Sequence, residues 1–407
     1  MHWLFIHQNA PGQWRALIPA LLKRGHAIHL IGARSRSDGP KGVQYLHYDW
    51  SDQHPAARLV DPDLERNLQR ASRVAALCTQ LSQQGIQPDV VVFHSAWGEG
   101  LYLRDLWPKA VLIAYPELYA QAQLLGHGFD PDAGSLSEGS RRALRRQNFV
   151  ALAAIADSDA AIAPTLFQRD TFPPHLRSRF QVIHEGVDLE RVRPHPRRHL
   201  QLTPELMLRK GDPVITYVSR SLEPLRGFRV FMRALPAVLE QHPTAQVLIV
   251  GSREGTSYCR ASTHPDGYWG EMTALLGDRL DRHRVHCLGR LPYDQYLAVL
   301  QVSAAHVHLT YPYAMSWSLL EAMACGAVVV GSANAPVDEL IRQGENGLLV
   351  PFAAHDQLSR TLLRVLRDPH AHAPLGEAAR RTVEQRYGLL TAVQAYEQLA
   401  ESLRLVR

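Results

Sequence analysis

The strongest constraint in the sequence is a set of short apolar runs that show no polar alternation. Val90-Val91-Val92-Phe93, "AVLIAY" from Ala110, "AQVLIVGS" from Ala245 and "AVVVGS" from Ala327 are all of strand length. A strand with one wet face alternates, whereas a strand that is apolar throughout is buried on both faces, as in parallel sheets covered by helices. Helix-length stretches separate the runs: "GQWRALIPALLKRG" from Gly12, the stretch from Asp63 to Gln84, "NFVALAAIAD" from Asn148 and "GFRVFMRALPAVLEQHP" from Gly227. The alternation stops at 191–211, which is polar and rich in Pro and Arg, and then restarts. This pattern predicts an α/β chain of two doubly wound, Rossmann-like domains facing a cleft. The boundaries are 1–190, a linker at 191–211, 212–388, and a final helical segment at 389–407.

Composition supports that reading and narrows the function classes. A chain of 407 residues exceeds one ordinary core. No apolar run approaches the roughly 18–20 residues of a membrane span. The N-terminal stretch "MHWLFIHQNAPGQW" has neither a basic leader nor a small-residue cleavage site, so the expectation is a cytoplasmic protein. Cys78, Cys259, Cys287 and Cys325 are scattered, without a CxxC pair, and read as reduced thiols. The net charge of +5 is mild, and its one dense cluster is Arg141, Arg142, Arg145 and Arg146, spaced to crowd one side of a helix. That face is either solvated or docks peripherally to anionic lipid at the inner membrane surface. Nucleic acid is disfavoured, because no aromatic residues interleave with the arginines.

The candidate chemistry lies where strands pass into helices. In "YPYAMSWSLLEAMACG", residues 311–326, a helix opens at Ser316, Trp317, Ser318 and Leu319 and carries Glu321. A helix start offers backbone N–H groups and a favourable dipole to an anion. Glu321 stands three residues after Ser318, so a capping box is one reading and a ligand-facing carboxylate the other. Gly12 lies between the first strand and helix, in a loop that is not GxGxxG. His94 ends an apolar strand, as a structural histidine or a ligand to a sugar or phosphate. Arg220 and Arg226 follow another strand and suit a diphosphate if they converge. GxSxG, P-loop and HExxH motifs are absent. The triplets "DPD" at 61–63 and 130–132 and "DSD" at 157–159 resemble metal-binding DxD but sit in polar loops or at helix ends, so no metal is expected.

Together, "FIHQNAPGQWRALIPALLKRGH", "VIHEGVDLERVRP" and above all "LLEAMACGAVVVGSANAPVDELIRQGENGLLVPF" resemble a family-4 retaining glycosyltransferase of the GT-B type over nearly the whole chain. The resemblance implies hexose transfer from a UDP- or GDP-linked sugar to a hydroxyl acceptor (saccharide, lipid-linked or small metabolite). It implies a metal-independent, front-face reaction with no cofactor, and a C-terminal helix crossing back to the first domain. By the same resemblance Gly12 approaches the donor phosphates or the acceptor, and His94 touches the donor sugar. Arg220 holds the diphosphate, Glu321 the ribose, and backbone near Leu291 the base. Two positions depart from the family pattern. Tyr313 stands where the first glutamate of the Glu-x7-Glu motif belongs, and Leu225 replaces the usual lysine, with Arg226 one place later. Tyr313 also motivates an alternative, a non-catalytic GT-B protein that binds a nucleotide or sugar and supports a partner.

Overall fold

The computed structural model describes residues 1–33, 35, 41–50 and 62–406, so Asp61 of the first acidic triplet lies outside the described residues. The chain forms two compact units. One comprises Met1–Gln121, Leu136–Gly186 and Leu389–Arg407, the other Ala122–Ser135 and Val187–Gly388.

The first unit contains β1 (His2–Ile6), β2 (Ala27–Gly32), β3 (Gln44–His47), β4 (Val90–His94), β5 (Val111–Tyr115), β6 (Ala160–Ala163) and β7 (Phe180–Val182). They form one parallel sheet in the order β3-β2-β1-β4-β5-β6-β7. The absence of polar alternation now has its cause. Trp3 and Phe5 enter a core with Trp14, Leu17 and Tyr396, while Leu4 and Ile6 enter the opposite core with Val74 and Cys78. The helix Leu389–Val406 belongs to this unit and buries Tyr396 in it. Its Glu397 accepts from Arg24 at 2.6 Å and pairs with His26 at 2.8 Å.

The second unit contains an antiparallel hairpin, β8 (His199–Gln201) and β9 (Met207–Arg209), and a parallel sheet of β10 (Val214–Ser221), β11 (Gln246–Ser252), β12 (Val285–Gly289), β13 (Ala305–His308), β14 (Val328–Ser332) and β15 (Leu348–Val350). The sheet order is β12-β11-β10-β13-β14-β15. The hairpin occupies the stretch whose composition reads as a linker. Its Leu208 is buried with Val214, Leu248 and Val299, while the other hairpin residues stay exposed or half-buried, which hides the element from a hydrophobicity pattern.

Residues Ala122–Ser135 come from the first half of the sequence but pack in the second unit. Phe129 lies against Tyr311 and Phe352, Asp130 accepts from the Tyr311 hydroxyl at 2.5 Å, and Asp132 pairs with Arg233 at 2.9 Å. Gly126 has φ +90°, and a Cβ there would lie 2.5 Å from the Tyr311 ring. The acidic triplet at 130–132 therefore fastens this segment. In the triplet at 157–159, Asp159 is likewise engaged, accepting from Arg104 at 2.9 Å and from the Leu112 amide at 2.8 Å.

Two histidines of β13 give the second unit a pH-dependent stability. His306 is fully buried with its Nδ1 2.9 Å from Thr216 Oγ1, and burial pushes its pKa down to about 3. Burial, reinforced by the Arg226 charge, holds His308 well below the ordinary value too. Unfolded histidine titrates near 6.5, so below that pH the unfolded chain binds protons that the folded unit refuses. This contribution is complete above about pH 6.5 and declines on acidification, by on the order of 1 kcal/mol per pH unit for each histidine. Urea unfolding at pH 7 and pH 5 is expected to show that loss, and equal stabilities would contradict it.

Candidate active site

In each sheet the chain leaves in opposite directions from two adjacent central strands, and loops at that reversal form a crevice at the carboxyl edge. In the second unit these strands are β10 and β13. The loop after β10 ends in the short turn Pro224–Arg226 and Gly227, whose φ is +68°. A Cβ on Gly227 would lie 2.4 Å from Leu309 Cβ, so glycine allows this loop to press against the exit of β13. Arg226 is thereby brought onto the β13 loop, donating to Thr310 Oγ1 at 2.9 Å and to the Ala314 carbonyl at 3.4 Å. Arg220, near the end of β10, is exposed and makes no hydrogen bond or ion pair with another described residue.

The helix Trp317–Ala324 starts beside Arg226's partners. Ser316 occupies the N-cap position but makes no side-chain cap, and its hydroxyl lies 2.9 Å from that of Ser318. The capping-box reading of Ser318 and Glu321 fails here. Ser318 is already inside the helix, and Glu321 lies a further turn along, out of reach of the helix start. Instead the buried Glu321 carboxylate accepts from Tyr293 at 2.7 Å and Tyr296 at 2.5 Å, both on the helix Tyr293–Val302. Burial, followed by the Glu321 charge, raises the Tyr296 phenol well above its ordinary pKa, so it stays a donor. Leu319 is fully buried, Ser318 nearly so, and Trp317 and Leu291 are half-buried.

Three site features escaped the sequence reading. The two tyrosines on Glu321 are one. The second is Glu223, buried beside Arg226, which accepts from the amides of Ser257, Tyr258 and Cys259 at 3.1, 3.1 and 3.0 Å. This carboxylate ties the loop after β11 to the loop after β10. It sets Tyr258 against Tyr313, with ring centroids 4.9 Å apart.

The first unit reverses at β1 and β4. Gly12 follows β1 with φ +53°, and a Cβ there would lie 2.6 Å from the His7 ring, so the loop closes over that histidine only with glycine. His94, the last residue of β4, is fully buried, stacked on Trp97 at 3.9 Å and 12°, with the His7 ring edge-on at 5.1 Å. Its Nε2 lies 3.4 Å from Glu117 Oε2, the third unforeseen feature. Nearby Glu99 is buried, and burial lifts its pKa against the opposing charges of Arg70 and His94. Among the described residues, no group of three or more His, Cys, Asp or Glu is placed to hold a metal ion.

Comparison with known proteins agrees with this architecture. Residues 24–192 match the glycosyl transferase family 4 group and residues 202–382 the glycosyl transferases group 1. The chain belongs to the family-4, group 1 glycosyltransferases. D-inositol 3-phosphate glycosyltransferase of Rhodococcus jostii is 28% identical over 70% of the chain and 60% of that protein. The GDP-mannose-dependent monoacylated alpha-(1-6)-phosphatidylinositol monomannoside mannosyltransferase of Corynebacterium glutamicum is 29% identical over 51% of the chain and 52% of its own length. The chain thus spans only about six tenths or less of these two relatives' length. Sucrose-phosphate synthase of Thermosynechococcus elongatus superposes over 100% of both chains, with a TM-score of 0.74 and 18% identity. Anabaena HepE, solved with UDP and glucose, superposes over 99% of this chain and 100% of its own, with a TM-score of 0.68 and 17% identity. Such distant structural neighbours establish the GT-B fold.

Within this fold Glu223 holds two loops of the group 1 domain together. Glu223→Ala leaves the part-buried amides of Ser257, Tyr258 and Cys259 without their acceptor and is expected to destabilise the second unit by about 1–3 kcal/mol. Faster hydrogen exchange at residues 257–259 should accompany the loss. Unchanged exchange there would contradict the tethering role.

Proposed function

We propose that the chain is a retaining glycosyltransferase that moves a hexose from a UDP- or GDP-linked donor to a hydroxyl acceptor by metal-independent, front-face transfer. The observation that carries this reading is the second unit's helix start, without a side-chain cap, next to an anchored Arg226 and upstream of a carboxylate fixed by two phenols. The helix start at Ser316–Leu319, with Arg220 and Arg226, meets the donor diphosphate. Glu321 accepts from the ribose hydroxyls, and backbone at Leu291 meets the base. A GDP-mannose-dependent relative and a structural neighbour solved with UDP-glucose support both base choices. Tyr313, without a carboxylate, contributes to the choice of sugar.

In the reaction the bond from the anomeric carbon to the β-phosphate oxygen breaks, and a bond to the acceptor oxygen forms on the same face. The acceptor's proton passes to the departing phosphate. No protein nucleophile is required, so the residues act by positioning and by stabilising the charge that grows on the leaving diphosphate. Gly12 permits close approach of backbone to substrate in the first unit, and His94 contributes an imidazole to the sugar. The acceptor class is a saccharide, a lipid-linked sugar or a small metabolite, reached in the cytoplasm.

Incubation with UDP- and GDP-hexoses and an acceptor panel, with the product anomer read by NMR, tests the reaction. Retention with release of nucleoside diphosphate is expected; inversion, or binding without turnover, would overturn it. Arg220→Ala is expected to lower kcat/KM by at least about 2 kcal/mol of transition-state stabilisation. Glu321→Gln should weaken nucleoside diphosphate binding without that kinetic loss, and equal affinity in parent and variant would exclude the ribose contact.

We also propose that the helix Glu138–Asp157 docks to anionic membrane. Arg141, Arg142 and Arg145 are exposed on it, Arg146 is half-buried, and Phe149, one turn on, is 49% exposed, pairing an apolar anchor with the charge. Replacing Arg141, Arg142 and Arg145 by Glu should abolish co-sedimentation with phosphatidylglycerol vesicles. Absence of co-sedimentation by the parent would dispose of the contact.

A further inference from the structure

Trp3, Trp14 and Trp107 of the first unit are sealed in its cores, where even their indole N–H groups are buried. Trp97 stands apart from them. It lies in the loop after β4, at the strand reversal, and is only half-buried. Its indole N–H is neither buried nor bonded to another described residue. A large aromatic side chain left at the carboxyl edge of the sheet gains less from burial than one in the core, so its placement calls for another reason.

The loop that carries Trp97 is fixed from several sides. The His94 imidazole lies against the indole at 3.9 Å and 12°, and the His7 ring meets it edge-on at 5.4 Å. From the helix Pro62–Gln83 the buried Arg70 donates through Nη1 to the Trp97 carbonyl at 3.1 Å, with its guanidinium 4.3 Å from the centre of the Trp50 ring. Gly98 follows with φ +96°, and a Cβ there would lie 2.2 Å from the Asn67 carbonyl oxygen, so only glycine lets the loop press on that helix. Arg70 Nε is buried without a hydrogen-bond partner. Burying a guanidinium with one donor unmet costs free energy, and a local rule broken to hold one side chain in place marks a functional position.

We infer that Trp97 is the platform for the acceptor, and that the acceptor is a saccharide which lays the C–H face of one pyranose ring on the indole face turned away from His94. An indole is flat and apolar, with a negative ring face and one donor at its edge. A pyranose matches it: one face presents C–H groups of slight positive charge, and a hydroxyl that reaches past the indole edge can accept from Nε1–H. A phosphate-bearing metabolite suits this position less, because Arg70, the guanidinium that fastens the loop, is 4% exposed and engaged by the Trp97 carbonyl. Trp97 thus sets the acceptor class, a role that rests on the transferase reading above.

The test follows the ¹H–¹⁵N signals of the seven indoles in the full chain, the Trp97 signal being the one lost in Trp97→Phe. The methyl α-pyranosides of D-glucose, D-mannose and D-galactose are added, with glycerol at equal concentration as a hydroxyl compound without a ring. At least one pyranoside should shift the Trp97 signal, and glycerol should not. No shift with any of the three, or an equal shift with glycerol, would overturn the platform. In turnover, Trp97→Ala should raise the KM for a saccharide acceptor by about tenfold or more while UDP and GDP affinities stay as in the parent, and Trp97→Phe, which keeps a ring, should recover most of that loss. An acceptor KM equal in the parent and Trp97→Ala, or turnover confined to acceptors without a sugar ring, would also overturn it. If Trp97→Ala does not fold, the indole signals of the parent decide alone. If the parent binds neither UDP nor GDP and turns over no nucleotide-hexose, the transferase reading fails by itself. The indole titration needs no turnover and then decides whether Trp97 meets a saccharide.

Discussion

The helix start at Ser316 is the constraint on which the second unit's site depends. A helix N-terminus presents backbone donors and a positive dipole end, and here no side chain caps it. Its neighbours are arranged to suit an anion. Arg226 is anchored to the same loop through Thr310 and Ala314, and its charge helps keep His308 neutral. Glu321, the one carboxylate of this helix, is occupied by two phenol donors, so it is held in a fixed orientation one turn beyond the helix start.

Fixing these groups costs conformational freedom, and the fold supplies it through tethers between loops rather than through the sheet alone. Glu223 draws the loop after β11 onto the loop after β10 by three amide hydrogen bonds. Ser221 and Ser257 add a hydroxyl contact at 2.9 Å. The segment Ala122–Ser135 places Phe129 against Tyr311 and Phe352, and the Asp130 carboxylate against the Tyr311 hydroxyl. Tyr311 lies in the very loop that leads from β13 to Ser316. In the first unit the equivalent organisation is aromatic, with His7, His94 and Trp97 packed edge-on or stacked around the reversal of β1 and β4.

The sheets were legible in the sequence because strands buried on both faces leave continuous apolar runs, as Trp3 to Ile6 and Val90 to Phe93 do. The hairpin of β8 and β9 was not, since Leu208 is its one fully buried side chain. Gly12, His94, Arg226 and Glu321 could be singled out because each lies at a strand's carboxyl end, in the loop after it or in the helix that follows. The phenols that orient Glu321, those of Tyr296 and Tyr293, lie 25 and 28 residues away in the chain, and Glu223 lies 34 residues from the Ser257 amide that it tethers; no local spacing announces such pairs. Glu117 left still less trace, because a left-handed backbone is usually signalled by glycine and here is not. Asp130 and Asp132 belong to a DxD triplet that the sequence places in a polar loop, and their carboxylates fasten one segment to Tyr311 and Arg233.

The most direct measurement is a thermal-shift titration of the protein with UDP, GDP, ADP, TDP and CDP, with and without EDTA. The account predicts that one of the five stabilises the protein with or without the chelator, by about 2.7 kcal/mol at a hundredfold excess over its Kd. Stabilisation by none of them would contradict a diphosphate site at the Ser316 helix start, and stabilisation lost in EDTA would contradict metal-independent binding.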